Sequence, residues 1–199
     1  MCFILIRIMI IKNADLTRIL VISKIGLEAY NALLKLVGNR EILWVSSNPF
    51  LAHKALKGQK AKIFSFNTRR FNSISLNPTN LQEILLQVSR NTSPKCAVIM
   101  SCLSELLAIH GLNKLYGFLL HLISSIEEKG GMIIGMMVEG AQSKSDEILI
   151  STLFDATLRL QERNNEVILV PITSLNRKEV KLRILEPLTD EVNLGTTFP

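Results

Sequence analysis

Strands and helices alternate along most of this 199-residue chain, which predicts an α/β fold with a mainly parallel sheet covered by helices on both faces. Three observations carry that expectation. Short apolar runs bounded by polar residues recur with the length of buried strands. Between them lie segments with apolar residues at helical spacing, several of them closed by glycine. From about residue 156 the helical segments stop and strands follow one another, which places antiparallel strands at one edge of the sheet.

The composition agrees with a single domain. At 48% hydrophobic and 20% charged residues the chain can bury a sizeable core and is not disordered. Three cysteines cannot build a disulfide framework, and Cys96 and Cys102 lack the paired spacing of a zinc site. A reducing, cytoplasmic setting is expected. Aromatics make up only 6%, so stacking of bases on exposed rings is not the expected mode of nucleic-acid binding.

The elements follow in order. Residues 2–11 are apolar apart from Arg7 and reach about half of the ~20 residues that a membrane span needs. They lack the flanks of a signal peptide, so residues 1–16 are expected to form an N-terminal extension or edge strand, unless translation starts at Met9. Thr17 to Ser23 reads as a buried strand. Gly26 to Val37 carries Leu27, Tyr30, Leu33, Leu34 and Val37 at helical spacing, and Gly38 closes it. Glu41 to Ser47 is the next strand. Asn48-Pro49 caps and opens a helix that ends near Lys57, with Gly58 after it. Ala61 to Phe66 is a third strand, and Asn67 to Asn77 has no clean period and reads as a loop.

Pro78 to Arg90 is helical, with Leu81, Ile84, Leu85 and Val88 on one face. Lys95 to Ser101 is the most continuously apolar strand up to that point and is expected at the centre of the sheet. Leu103 to Ile109 is a short helix. Asn113 to Lys129 is a long amphipathic helix stopped by Gly130-Gly131. Met132 to Val138 is a buried strand and Lys144 to Phe154 a helix. Ala156 to Gln161, Glu166 to Thr173 and Val180 to Leu185 are strands, the last two a hairpin. One domain over 17–186 is expected, with a loose tail over 187–199.

Charge is unevenly placed. Residues 1–70 carry +9 and the remainder −3, within a net charge of +6. No acidic residue lies between Glu41 and Glu83. That interval holds Lys54, Lys57, Lys60, Lys62, Arg69 and Arg70, with His53 beside them. Such a face attracts DNA, RNA or another polyanion with affinity that falls steeply with salt, unless it is merely a solvated basic surface.

Three stretches together resemble the ATPase core of the RecA superfamily, in particular the archaeal KaiC-like proteins. Residues 19–34 form strand, loop and helix where that family has its phosphate loop. Residues 98–107, Val-Ile-Met-Ser-Cys-Leu-Ser-Glu-Leu-Leu, look like the family's second nucleotide motif. Phe118 to Leu160 supplies a helix ending Glu-Glu-Lys-Gly-Gly, an apolar strand, a polar loop, a helix and Leu-Phe-Asp-Ala-Thr-Leu-Arg-Leu. The resemblance covers about residues 17–186 and implies a RecA-like P-loop NTPase fold working in side-by-side assemblies, either with itself or with a RecA-like ATPase.

The chemical motifs depart from that pattern. A phosphate loop needs glycines for its backbone cradle, a Lys for the β/γ-phosphates and a hydroxyl for Mg²⁺. Here the loop reads Ser23-Lys24-Ile25-Gly26-Leu27-Glu28-Ala29, with Glu28 and Ala29 near the places of Lys and Ser/Thr. In the second motif Ser101 stands where the resemblance implies a metal-associated Asp, and a neutral hydroxyl is a poor Mg²⁺ ligand. Ser23, Lys24, Gly26 and Ser101 are therefore read as a degenerate nucleotide site, with no cofactor and no metal expected.

Other residues carry weaker signals. Glu105 and Asp155 are the carboxylates nearest the expected carboxyl ends of central strands, where open sheets bind ligands. Glu139 follows the strand that ends at Val138, where a nucleotide-sensing residue would fit, but it lacks partners. His53, His110 and His121 have no metal-spaced neighbours. Ser23, Ser101 and Ser104 lack the context of a nucleophile elbow. Cys96, Cys102, Met132, Met136 and Met137 read as core. In the polar segment 139–146 the resemblance implies a loop facing DNA or a neighbouring subunit, with Lys144 as its contact. The expected function is thus a non-catalytic RecA-like partner that regulates or scaffolds an ATPase. The alternatives are a recombinase-paralog-like protein binding DNA or RNA through residues 40–70, and an unusual ATP binder or weak ATPase using Lys24 and Gly26.

Overall fold

The computed structural model describes residues 16–66, 72–163, 166–174 and 182–184. The expectations for 1–15, for Arg69 and Arg70 and for the tail 187–199 lie outside the described residues. The apolar runs form strands β1 (Arg18–Ser23), β2 (Ile42–Ser46), β3 (Ala61–Phe66), β5 (Ala97–Met100) and β6 (Met132–Val138). A three-residue strand, β4 (Ile74–Leu76), precedes β5 in the chain, and β7 (Ala156–Arg163), β8 (Glu166–Ser174) and β9 (Leu182–Ile184) follow β6. The helices are α1 (Leu27–Val37), α2 (Pro49–Leu56), α3 (Leu81–Asn91), α4 (Leu103–His110), α5 (Leu112–Glu127) and α6 (Lys144–Ser151).

The strands form one sheet in the order β4-β3-β2-β5-β6-β1-β7-β8-β9. The first seven positions run parallel, and β8 and β9 add antiparallel pairs at the β7 side. The parallel-sheet expectation and the late antiparallel strands both hold, and β5 is the middle of the seven parallel strands. Three element boundaries differ. The segment read as a loop contains β4, paired to β3 through Phe64 and Ile74. α3 starts at Leu81 rather than Pro78, because the Asn80 side chain accepts from Glu83 N and caps it. α6 stops at Ser151; Leu153 and Phe154 beyond it are buried on the sheet instead.

Side chains alternate between the two faces of each strand. Ile19, Val21, Trp44 and Ile99 pack with α1 and α2. Leu20, Val45, Val98 and Ile133 pack with α3, α4, α5 and α6. Gly135 in β6 has a packing reason. A Cβ there would meet Leu103 Cδ1 at 2.7 Å and Phe154 Cζ at 3.0 Å, so glycine lets α4 and the segment after α6 sit close on the sheet.

Asp155 is placed differently from the sequence expectation. It precedes β7 and so lies at the amino ends of the parallel strands, not at their carboxyl ends. Its carboxylate accepts from Arg18 N at 3.0 Å, Thr17 N at 3.2 Å and Arg18 Nε at 2.8 Å. It ties the start of β1 to the start of β7, and that structural role accounts for it fully.

Candidate functional site

β1 leads into α1 and β2 into α2 on one face of the sheet, whereas β5 leads into α4 and β6 into α6 on the other. β1 lies beside β6 and β2 beside β5. At both borders the chain therefore parts to opposite faces, and a crevice outside the carboxyl ends at such a border is the usual ligand position of an open α/β sheet. Ser23, Lys24, Gly26 and Ser101 all sit at this edge, as their positions at strand ends require.

The loop after β1 is held by its own hydrogen bonds. Ser23 is buried, its Oγ donates to Lys24 O at 2.6 Å, and its carbonyl accepts from Glu139 N at 2.9 Å. Lys24 is exposed. Gly26 has extended backbone (φ 178°, ψ 167°), which any residue adopts. Glu28 Oε2 lies 2.8 Å from where a Gly26 Cβ would stand. The Glu28 carboxylate thus folds back over the amino end of α1, which has no side-chain cap. There it complements the partial positive charge of the helix end and repels an incoming anion.

Ser101 is buried, and its Oγ accepts from Trp44 Nε1 at 2.9 Å. Trp44, the chain's single tryptophan, stacks on Tyr30 of α1 with ring centroids 5.4 Å apart and planes inclined by 20°. The Tyr30 hydroxyl lies 3.2 Å from Ser46 Oγ, and burial pushes its phenol above the ordinary value. Ser46 Oγ also accepts from Asn48 N at 3.1 Å, joining the pair to the start of α2. Both rings are wholly buried and belong to the core between the sheet and helices α1 and α2. Of this cluster the sequence singled out Ser101 alone. Tyr30 and Trp44 are 14 positions apart in different elements, and nothing in the sequence pairs them.

Glu105, in the first turn of α4, reaches the same edge. Its Oε1 accepts from Ser47 Oγ at 2.7 Å, and its Oε2 is buried without a hydrogen-bond partner among the described residues. The neighbouring Cys102 is fully buried. Burial, with the Glu105 charge adding to it, pushes the Cys102 thiol well above its ordinary value, so it is an inert core group. Cys96, Met132, Met136 and Met137 are buried as expected. Among the described residues no group of three or more His, Cys, Asp and Glu could hold a metal ion.

On the β6 side, Ser104 Oγ accepts from Val138 N at 2.8 Å and donates to Gln142 Oε1 at 2.9 Å. Gln142 Nε2 donates to Val138 O at 2.9 Å, so the loop before α6 is fastened to α4. Ser143 caps α6 by accepting from Asp146 N. Lys144 pairs with Glu147, and Arg159 of β7 comes within 3.5 Å of both Glu139 and Glu147. Glu139 therefore has a cationic neighbour that the sequence did not reveal.

The basic residues are elsewhere. α2 runs back from the carboxyl edge, so Lys57 at its end, Lys60 and Lys62 gather at the amino edge of the sheet, with Lys54 on the exposed side of α2. Lys62 Nζ donates to Asn91 Oδ1 at 2.9 Å. Lys144, expected as a contact of the separate 139–146 loop, opens α6 at the opposite edge.

No family model matches the chain, and no curated protein matches it. Solved structures do. A Pyrococcus horikoshii OT3 protein from a structural project superposes with a TM-score of 0.60 at 12% identity, over 87% of this chain and 94% of its own. The flagellar accessory protein FlaH from Methanocaldococcus jannaschii gives 0.54 at 12% identity, over 80% of this chain and 79% of its own. At such identity the likeness shows the fold: an α/β, RecA-like sheet flanked by helices. No helix among the described residues is long and apolar enough to cross a membrane.

Proposed function

We propose that this chain is a RecA-like protein without nucleotide chemistry, acting in the cytoplasm as a regulatory or scaffolding partner of an ATPase or of nucleic-acid machinery. The observation that carries the reading is the state of Ser101: its hydroxyl is buried and held by Trp44, which stacks on Tyr30 in the core, so it is not free to serve a metal ion. The Glu28 carboxylate over the amino end of α1 adds repulsion toward a triphosphate. Exposed apolar side chains at the same edge, Ile25 at 56% and Phe50 at 53%, favour contact with another protein, either a second copy or a RecA-like ATPase.

Trp44 makes the test simple, because the single tryptophan is bonded to Ser101 at the end of β5. Emission from Trp44 should stay unchanged as ATP and Mg²⁺ are added to millimolar levels. A saturable change that Lys24→Ala abolishes would return the reading to an ATP binder or weak ATPase.

A second reading, compatible with the first, rests on the basic amino edge. Lys54, Lys57, Lys60 and Lys62 are exposed within one short stretch that contains no acidic residue. That surface would hold DNA or RNA mainly through phosphates.

A further inference from the structure

A groove between α3 and α5 belongs to neither site above. The two helices run parallel, and near their carboxyl ends they are pinned together. Ser125 Oγ donates to Ser89 Oγ at 3.1 Å, and Lys129 Nζ donates to Thr92 O at 3.1 Å and also to Ser89 O. Toward their amino ends the groove between them is lined by residues from 79 to 85 and from 110 to 121. His110 closes its upper end, with Nε2 2.8 Å from Pro78 O. A carbonyl only accepts, so Nε2 carries the proton there.

The lining divides by chemistry. Lys114, His110 and His121 supply the ionisable groups, Asn80, Gln82 and Asn113 supply amides, and no carboxylate takes part. Leu85 and Phe118 supply apolar wall. Gly117 lies on α5 between Lys114 and His121, and a Cβ there would meet nothing within 4 Å. Packing does not require that glycine, and mid-helix glycine is unfavourable. Its effect is to keep the groove floor clear between Lys114 and His121.

The geometry points to a binding site for a small amphipathic organic anion, its apolar part on Leu85 and Phe118 and its phosphate or carboxylate on Lys114 and His121. An apolar wall beside a few polar groups is the usual make-up of a small-ligand site. The inference does not rest on the reading of the crevice.

Three probes separate the contributions: phenyl phosphate, inorganic phosphate and phenol, each titrated into the full-length chain and followed by amide chemical shifts. Phenyl phosphate should bind saturably, about tenfold or more tighter than either fragment, with shifts centred on residues 110–121. Lys114→Glu should weaken it by about tenfold or more. Gly117→Leu should block it while leaving the chain at least as heat-stable, since it replaces glycine with a good helix former. Lys24→Ala should change nothing. No saturable shift at these residues, equal affinity for phenyl phosphate and inorganic phosphate, or full binding by a folded Gly117→Leu variant would each overturn the assignment.

Discussion

Ser101, just beyond the end of β5, is committed to the core. Its Oγ is the partner of Trp44 Nε1 in a fully buried setting, so Ser101→Ala leaves a buried donor unpaired. A loss of about 1–3 kcal/mol in urea unfolding is expected. Ser101→Asp should cost more, because it buries a charge, and should not create ATP binding. Cys102 and Tyr30 give a pH expectation. Both are acids whose values burial raises, so the folded chain holds their protons to higher pH than the unfolded chain does. Stability should be full below the ordinary thiol value of 9.0 and fall as pH rises above it, read by thermal unfolding across an alkaline series. Ser101 and Glu105 were legible at this scale because strand ends could be counted. Asp155 was misread because a residue just before β7 looks, in sequence, like one just beyond a helix on the ligand side.

At the scale of the element, the apolar strands were legible because both their faces are covered, so their sequences are continuous rather than alternating. β4 escaped because three residues with Ile74 43% exposed carry no such run. The end of α6 escaped because Leu153 and Phe154 keep the apolar spacing of a helix while packing as a turn. Gly135 is where two elements depend on one missing side chain. Gly135→Ala would push into Leu103 and Phe154, and a loss of about 1–3 kcal/mol is expected in denaturant unfolding. The same change at Gly117, where nothing lies near, should raise stability by up to about 1 kcal/mol. Opposite signs for one substitution at two glycines would confirm that packing, not backbone freedom, fixes the first. The aromatic pair beneath α1 was invisible in sequence, since contact between α1 and β2 is a product of the crossover rather than of local pattern.

The whole molecule keeps its two candidate surfaces apart. The crevice, with Glu28 and Glu105, opens at the carboxyl edge, while Lys57, Lys60 and Lys62 lie at the amino edge. If Lys57, Lys60 and Lys62 at the amino edge, with Lys54 on α2, hold nucleic acid, log affinity should fall with log salt with a slope of about −3 to −4. Lys54→Glu with Lys60→Glu should flatten that slope and weaken binding, read by electrophoretic shift across a salt series. An unchanged slope would show that nucleic acid does not bind through these lysines. The separation also means that nucleic acid could bind without any nucleotide in the crevice. Calorimetry of ATP binding with and without Mg²⁺ decides whether this RecA-like sheet takes a nucleotide, and the proposed function requires that it does not. No saturable heat at millimolar ATP is the expected result; micromolar binding that needs Mg²⁺ and is lost in Lys24→Ala would contradict it.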